Sequence, residues 1–268
     1  MNWNPQWIGV YTFHLWFLAY LFCISALALP GLLYLKRKRS VHVLARLAAF
    51  CDRPGGLFVF VLPIALVQIA LRASFPGYQS WSDICTWLLL LLYGFMFFVE
   101  PHFEVAMQKQ WKLPLFVAIT SLLILFIALF TGVLSRWDSL SDYSIGYILY
   151  QVLRGMFTWS WLLVTLCFGI RCLNFADTFI DYAEEAVLPF YVLHYPIIVV
   201  ITFLTLSWNI PLIIKFLLVS TLALLATIVV FDLLIRRINV MRWLFGMKRV
   251  DERPQEHMPR PPVHSSSS

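Results

Sequence analysis

Seven long apolar runs separated by short polar connections organise this chain. They fall near Phe13–Leu35, Gly56–Leu71, Ile84–Val99, Leu113–Leu134, Tyr147–Cys172, Val187–Leu206 and Pro211–Ile235. A helix that crosses a bilayer needs roughly 20 mostly apolar residues. The second and third runs are the shortest. None of the runs alternates apolar and polar residues with the period of a strand. The pattern therefore predicts an all-α, polytopic transmembrane bundle over residues 1–246, with no separate soluble domain. After Gly246 the apolar face disappears. The charged stretch Asp251–His257 and the Pro- and Ser-rich end predict a disordered tail over 247–268.

Composition places that bundle in lipid. The chain has 268 residues, 61% hydrophobic and 13% charged, with a mean hydropathy of +0.80. A soluble domain is nearer half apolar and a quarter charged. Lys36, Arg37, Lys38, Arg39, Arg46 and Arg53 crowd the first connection, Lys109 and Lys112 the third, Arg171 opens the fifth, and Arg236, Arg237 and Arg242 follow the last run. The alternate connections carry little positive charge. The positive-inside rule then sets the N-terminus outside and the C-terminus in the cytoplasm. Ala26-Leu27-Ala28 has the spacing of a signal-cleavage site. Cleavage there would require translocating Lys36–Arg39 against the charge rule, so the first run is expected to be a retained span.

The net charge of +6 and pI near 9.1 come from these loops. Charges dispersed at helix ends fit anionic lipid head groups and not nucleic acid, which calls for a folded basic surface. The five cysteines have no paired ligand spacing, so they read as small apolar core residues and no metal is expected. Glycine-rich nucleotide loops, nucleophile elbows and His-Glu-x-x-His are absent from the sequence.

Polar chemistry concentrates in the sixth run, Glu184-Glu185-Ala186-Val187-Leu188-Pro189-Phe190-Tyr191-Val192-Leu193-His194-Tyr195-Pro196. The prolines free carbonyls at Glu185 and Val192. A histidine at such depth faces protein or a polar cavity. Two accounts stay open: a polar pocket with His194 as proton carrier, or a histidine bonded to a nearby helix carbonyl. With the helix starting at Val187, His194 lies ~10 Å into the membrane. Tyr191 is one turn back on nearly the same face, and Glu185 reaches His194 only through a bent helix or another segment. In the fifth run Tyr147, Gln151, Arg154 and Thr158 share one face, predicted to look into protein. There Arg154 either pairs locally, for instance with Gln68, or holds a carboxylate, phosphate or sugar oxygen. His14 and Trp16 sit at the outer boundary with Trp3, Trp7, Trp81, Trp87, Trp137 and Trp208, an aromatic belt whose rings also suit stacking on sugars. Glu100, Pro101, His102 and Glu104 read as a local capping network.

Two of these motifs carry a family resemblance. The run from Glu185 to His194 resembles the penultimate-helix motif of the bacterial membrane acyltransferases of the acyltransferase 3 family, most nearly its glucan-succinylating branch. His14-Leu15-Trp16-Phe17-Leu18 is similar to the start of a middle helix of that family, and the order of the two motifs fits. The resemblance implies an integral protein of the bacterial inner membrane. It would move an acyl group from a cytoplasmic donor such as acyl-CoA to the hydroxyl of a glycan or other envelope acceptor. It implies His194 and Tyr191 as catalytic candidates and makes His14 and Trp16 pocket candidates. Glu185, Arg154 and Gln151 join the substrate-binding set.

The family's signature of a basic residue followed by histidine in the first helix has no counterpart here. The chain is expected to start where a family domain would without its first three helices. Separate N-terminal helices or a homo-oligomer are therefore implied as partners, besides the lipid bilayer. Two other functions follow from that departure: a noncatalytic homologue serving as membrane subunit or binding protein, and a transporter-like protein with polar stripes along its path.

Overall fold

The computed structural model describes residues 13–133, 143–172 and 178–247. Trp3, Trp7, Trp137 and the tail from residue 248 onward lie outside them. The helices in chain order are α1 (Trp16–Leu35, after a 3₁₀ turn Phe13–Leu15), α2 (Lys38–Cys51), α3 (Val61–Arg72, after a 3₁₀ segment Gly56–Phe60), α4 (Trp81–Val99) and α5 (His102–Gln110). They are followed by α6 (Lys112–Phe130), α7 (Ile145–Cys172), α8 (Thr178–Thr205), α9 (Leu212–Val230, continued by a π-helical turn Phe231–Ile235) and α10 (Asn239–Leu244). No strand occurs among the described residues. Among the described residues six helices are long and apolar enough to cross a bilayer: α1, α4, α6, α7, α8 from Tyr182, and α9 with its π turn. The protein is an all-α integral membrane protein.

Contacts group the chain into two compact units, Met1–Phe175 and Ala176–Ser268. In the first, α1 packs on α4, α3 on α4 and α7, and α6 on α7. The short helices α2 and α5 fall where the apolar pattern predicts only connections. They lie against each other and close one end. At that end Lys109 pairs with Asp52 at 2.9 Å, Gln110 Nε2 donates to the Cys51 carbonyl at 2.7 Å, and Arg171 Nη2 donates to the Gln108 carbonyl at 2.7 Å. At the other end Tyr147 Oη donates to the carbonyls of Gln68 and Ile69, each at 3.2 Å. The first and third connections and the Arg171 end of α7 therefore share one end of this unit. The second connection meets the start of α7 at the opposite end. The run over Gly56–Arg72 is too short to count among the six, yet it joins the two ends, the course expected of a seventh crossing.

The core of this unit is built around Trp159, which is fully buried. Its ring packs on Phe60 at 5.3 Å and Tyr93 at 5.5 Å, and its Nε1–H donates to the Leu57 carbonyl at 2.8 Å. The bond satisfies the indole, so a tryptophan can sit at the centre without a stranded donor. A Cβ on Gly155 would meet Val61, Ile64 and Ala65 at ordinary contact distance, so α3 and α7 run close together there. Large apolar side chains such as Phe22, Leu66 and Phe130 point outward, as lipid-facing positions do.

The turn from α2 into the 3₁₀ segment is the tightest point. Gly55 has φ +79°, and a Cβ on Gly56 would lie 2.5 Å from the Phe50 carbonyl oxygen and 2.8 Å from Cys51 Cα. Both obstacles are backbone and cannot rotate away. Gly56→Ala is expected to destabilise the protein by ~1–3 kcal/mol. Gly94→Ala, in α4 with nothing within 4 Å, should be neutral or gain ~0.5–1 kcal/mol. Denaturant midpoints in mixed micelles measure both, and equal effects would mean the Gly56 turn yields easily.

In the second unit α8 and α9 pack side by side, joined by the short turn through Trp208 and Asn209. Helix α8 begins nine residues before the expected start at Val187 and passes without interruption through Pro189 and Pro196. Lys215 Nζ donates to the Leu206 carbonyl at 3.2 Å, a cation placed at the end of α8. The π turn returns the chain so that α10 packs against it.

Candidate functional site

The candidate residues fall in both units, and each set is built from its own helices. In the second, Pro189 is buried and His194 half-buried. His194 Nδ1 lies 3.1 Å from the Phe190 carbonyl one turn back. A carbonyl only accepts, so that bond assigns the proton of a neutral imidazole to Nδ1 and leaves Nε2 as the acceptor nitrogen. The ring of Tyr191 lies 5.8 Å from the imidazole. Both side chains line a cavity of ≈ 550 Å³ along α8, together with Tyr182, Ala186, Phe190 and, from α9, Ile228. The groove is apolar except at these few polar tips. It pairs a basic nitrogen and a phenol with space for an apolar group, the composition usual for a small-molecule site.

Glu185 does not share that face. Nine residues of continuous helix separate it from His194, half a turn in rotation and ~13 Å along the axis. Its carboxylate instead takes Arg242 Nη2 at 3.3 Å. Arg242 is fully buried and also donates to the Arg236 carbonyl at 3.3 Å. The sequence predicts Arg242 to be one of the basic residues that follow the last span and suit anionic lipid head groups; it is instead buried. Its flanking residues Met241 and Trp243 are apolar but largely exposed, so no local pattern marks Arg242 as buried. Near the π turn, Arg236 stacks over Tyr182 at 5.2 Å and pairs with Asp232 at 3.6 Å.

In the first unit Gln151 is fully buried and Arg154 half-buried, with Arg154 Nη1 donating to Gln151 Oε1 at 3.4 Å and its guanidinium over Tyr150 at 5.6 Å. Thr158, expected on the same protein-facing stripe, is exposed. The buried row of α7 is Tyr147, Gln151, Gly155, Trp159, Leu163 and Cys167, in steps of four. Such a row winds about 40° around the helix at each step. Arg154 and Thr158 each precede a member of that row, Gly155 and Trp159, by one residue and so lie ~100° around the helix from it, at the edge of the buried face.

Gln68 does not meet Arg154. Its Nε2 donates to Thr86 Oγ1 at 2.8 Å and to the Ser82 carbonyl at 3.3 Å. Arg72 pairs with Asp83 at 3.0 Å. Gln68 Oε1 and Gln151 Nε2 are buried without a hydrogen-bond partner, one acceptor and one donor on the facing helices α3 and α7.

His14 is half-buried in the 3₁₀ turn before α1. Trp16 belongs to a ring cluster with Tyr20, Tyr78 and Trp87, at centroid distances of 6.3, 5.7 and 6.4 Å. The cluster walls a cavity of ≈ 340 Å³ completed by apolar residues such as Phe17 and Leu91. Trp16 and Trp87 leave only half of 6.4 Å on either side of a group between them. Carbon contacts need about 3.5–4.0 Å. The rings therefore form a wall and not a cage for a quaternary ammonium group.

Glu100 bonds both the ring Nδ1 and the backbone N–H of His102 at the start of α5, the capping network expected there. Among the described residues no three His, Cys, Asp or Glu side chains converge as a metal site would require. No family model, curated protein or solved structure matches the chain.

Proposed function

We propose that the protein is a membrane-bound O-acyltransferase of the acyltransferase 3 type, transferring an acyl group from a cytoplasmic donor such as acyl-CoA to a hydroxyl of a glycan or other envelope acceptor in the bacterial inner membrane. The observation that carries the reading is His194. Its Nδ1 is occupied by the Phe190 carbonyl, and its side chain lines the apolar groove of α8 beside Tyr191. In the proposed step Nε2 takes the proton of the acceptor hydroxyl as its oxygen attacks the thioester carbonyl. The carbon–sulfur bond breaks, and the departing thiolate receives the proton back from the imidazolium. Tyr191 Oη is the candidate donor to the carbonyl oxygen as negative charge develops. The apolar groove excludes water that would hydrolyse the thioester.

A second reading is favoured by the same bond: a histidine satisfied by the carbonyl one turn back is also a purely structural histidine. On that reading the chain is a noncatalytic membrane subunit or binding protein. The full chain in lipid nanodiscs, given radiolabelled acetyl- or succinyl-CoA and a β-glucan, decides between them. Label appearing as a hydroxylamine-sensitive ester on the glucan supports the acyltransferase. A folded chain that makes no ester from either donor leaves the noncatalytic reading.

A further inference from the structure

At the end of the first unit that holds the basic connections, α6 and α7 enclose a cavity of ≈ 330 Å³. Its mouth is cationic and aromatic. Arg171 and Trp111 line it, the guanidinium over the indole at 4.8 Å, and Lys112, next in sequence to the lining Trp111, holds its Nζ 5.9 Å from the same ring. Of the five N–H donors of a guanidinium, the Gln108 carbonyl engages Arg171 Nη2. Both cations are exposed, and none of the lining residues is acidic. Below the mouth the walls are Leu115, Val164 and Phe168, and Phe168 also faces outward. Seven helical residues separate Val164 from Arg171, so the apolar part extends ~10 Å below the charges.

We propose that this groove is a seat for an anionic phospholipid, with its phosphate at Arg171 and Lys112 and the first part of an acyl chain over Leu115, Val164 and Phe168. A cationic mouth over an apolar groove between two spanning helices matches a molecule that is anionic at one end and hydrocarbon at the other. The charge rule assigns this end to the cytoplasmic leaflet, where anionic lipids and basic interhelical pockets meet. Two cations without a compensating carboxylate favour a net-negative head group over a zwitterionic one. A soluble phosphate compound would gain nothing from the apolar walls.

Cys172 lines the cavity and is exposed, which supplies a direct reporter. Cys51 is a silent control, because it is buried and burial pushes its thiol up to about 11. The full chain in detergent would be treated with a maleimide and alkylation followed by peptide mapping, with phosphatidylglycerol, phosphatidylcholine or inorganic phosphate added. Phosphatidylglycerol is expected to slow Cys172 alkylation about tenfold, with phosphatidylcholine and phosphate having little effect. The double change Arg171→Gln with Lys112→Gln should abolish the protection, and Val164→Trp, which fills the groove, should abolish it with the cations intact. Native mass spectrometry of the same samples reads retained lipid independently of the cysteine. Equal protection by both lipids, protection by phosphate alone, or protection that survives the double change would each overturn the proposal.

Discussion

His194→Asn is expected to lower acyl transfer by about 10²–10⁴-fold, the range a positioned general base contributes, with little change in thermal stability. The asparagine amide places an N–H near the position of Nδ1, so the bond to the Phe190 carbonyl can be kept. What is lost is the basic nitrogen facing the groove. A structural histidine would give the opposite pattern: asparagine tolerated in rate, and any defect appearing as instability. Tyr191→Phe is the companion change. As an oxyanion donor it should cost about 10²–10³-fold, mainly in kcat. Initial rates at saturating and limiting acceptor, alongside melting curves, separate the two cases. Transfer by His194→Asn within a few-fold of the parent would remove His194 from the chemistry.

The second large effect concerns stability. Glu185→Ala should destabilise the protein by ~3 kcal/mol, the lower end of the ~3–5 kcal/mol for breaking a buried ion pair. The lower end applies because 29% of the Glu185 side chain remains exposed, while the Arg242 side chain is wholly buried. The cost lies mostly in what remains: a guanidinium enclosed by protein that has lost the Glu185 carboxylate, while the Arg236 carbonyl stays beside it. Adding Arg242→Met removes that buried charge, so the double variant should recover most of the loss. Unfolding in mixed micelles gives the cycle directly. A single variant within about 1 kcal/mol of the parent, or a double variant no better than the single, would show that the pair is already hydrated.

The spans were legible because lipid imposes a length and a polarity that few other contexts impose. The runs ending at Leu35, Val99 and Cys172 terminate where the helices do. The boundaries that moved are those where a helix continues out of the apolar run. Hydropathy marks Val187 because Glu184 and Glu185 are charged, yet both are helical, and α8 starts at Thr178. That shift also settles which face Glu185 occupies relative to His194. Helices α2 and α5 were invisible as spans because they are short and amphipathic. The row Ser40, Leu44, Ala48, Cys51 faces inward while His42 and Arg46 remain exposed. In α7 the polar stripe expected to look into protein does so only in part, because packing follows the four-residue row and takes Tyr147 and Gln151 without Thr158. Arg242 was illegible for a different reason: its burial depends on Glu185, 57 residues earlier, meeting a chain that reverses after a π turn.

The 3₁₀ segment before α3 has a consequence for the thickness of membrane the protein fits. Seventeen residues wound wholly as α-helix would span ~25 Å, short of a hydrocarbon layer of ~30 Å. A 3₁₀ helix rises ~2.0 Å per residue instead of ~1.5 Å, so five such residues followed by twelve α-helical ones reach ~28 Å. The stretch removes about half of the mismatch that would otherwise thin the bilayer or tilt the neighbouring helices. The shortest crossing is thereby lengthened by its own winding, and bilayers a few ångströms thicker should strain this segment before any other.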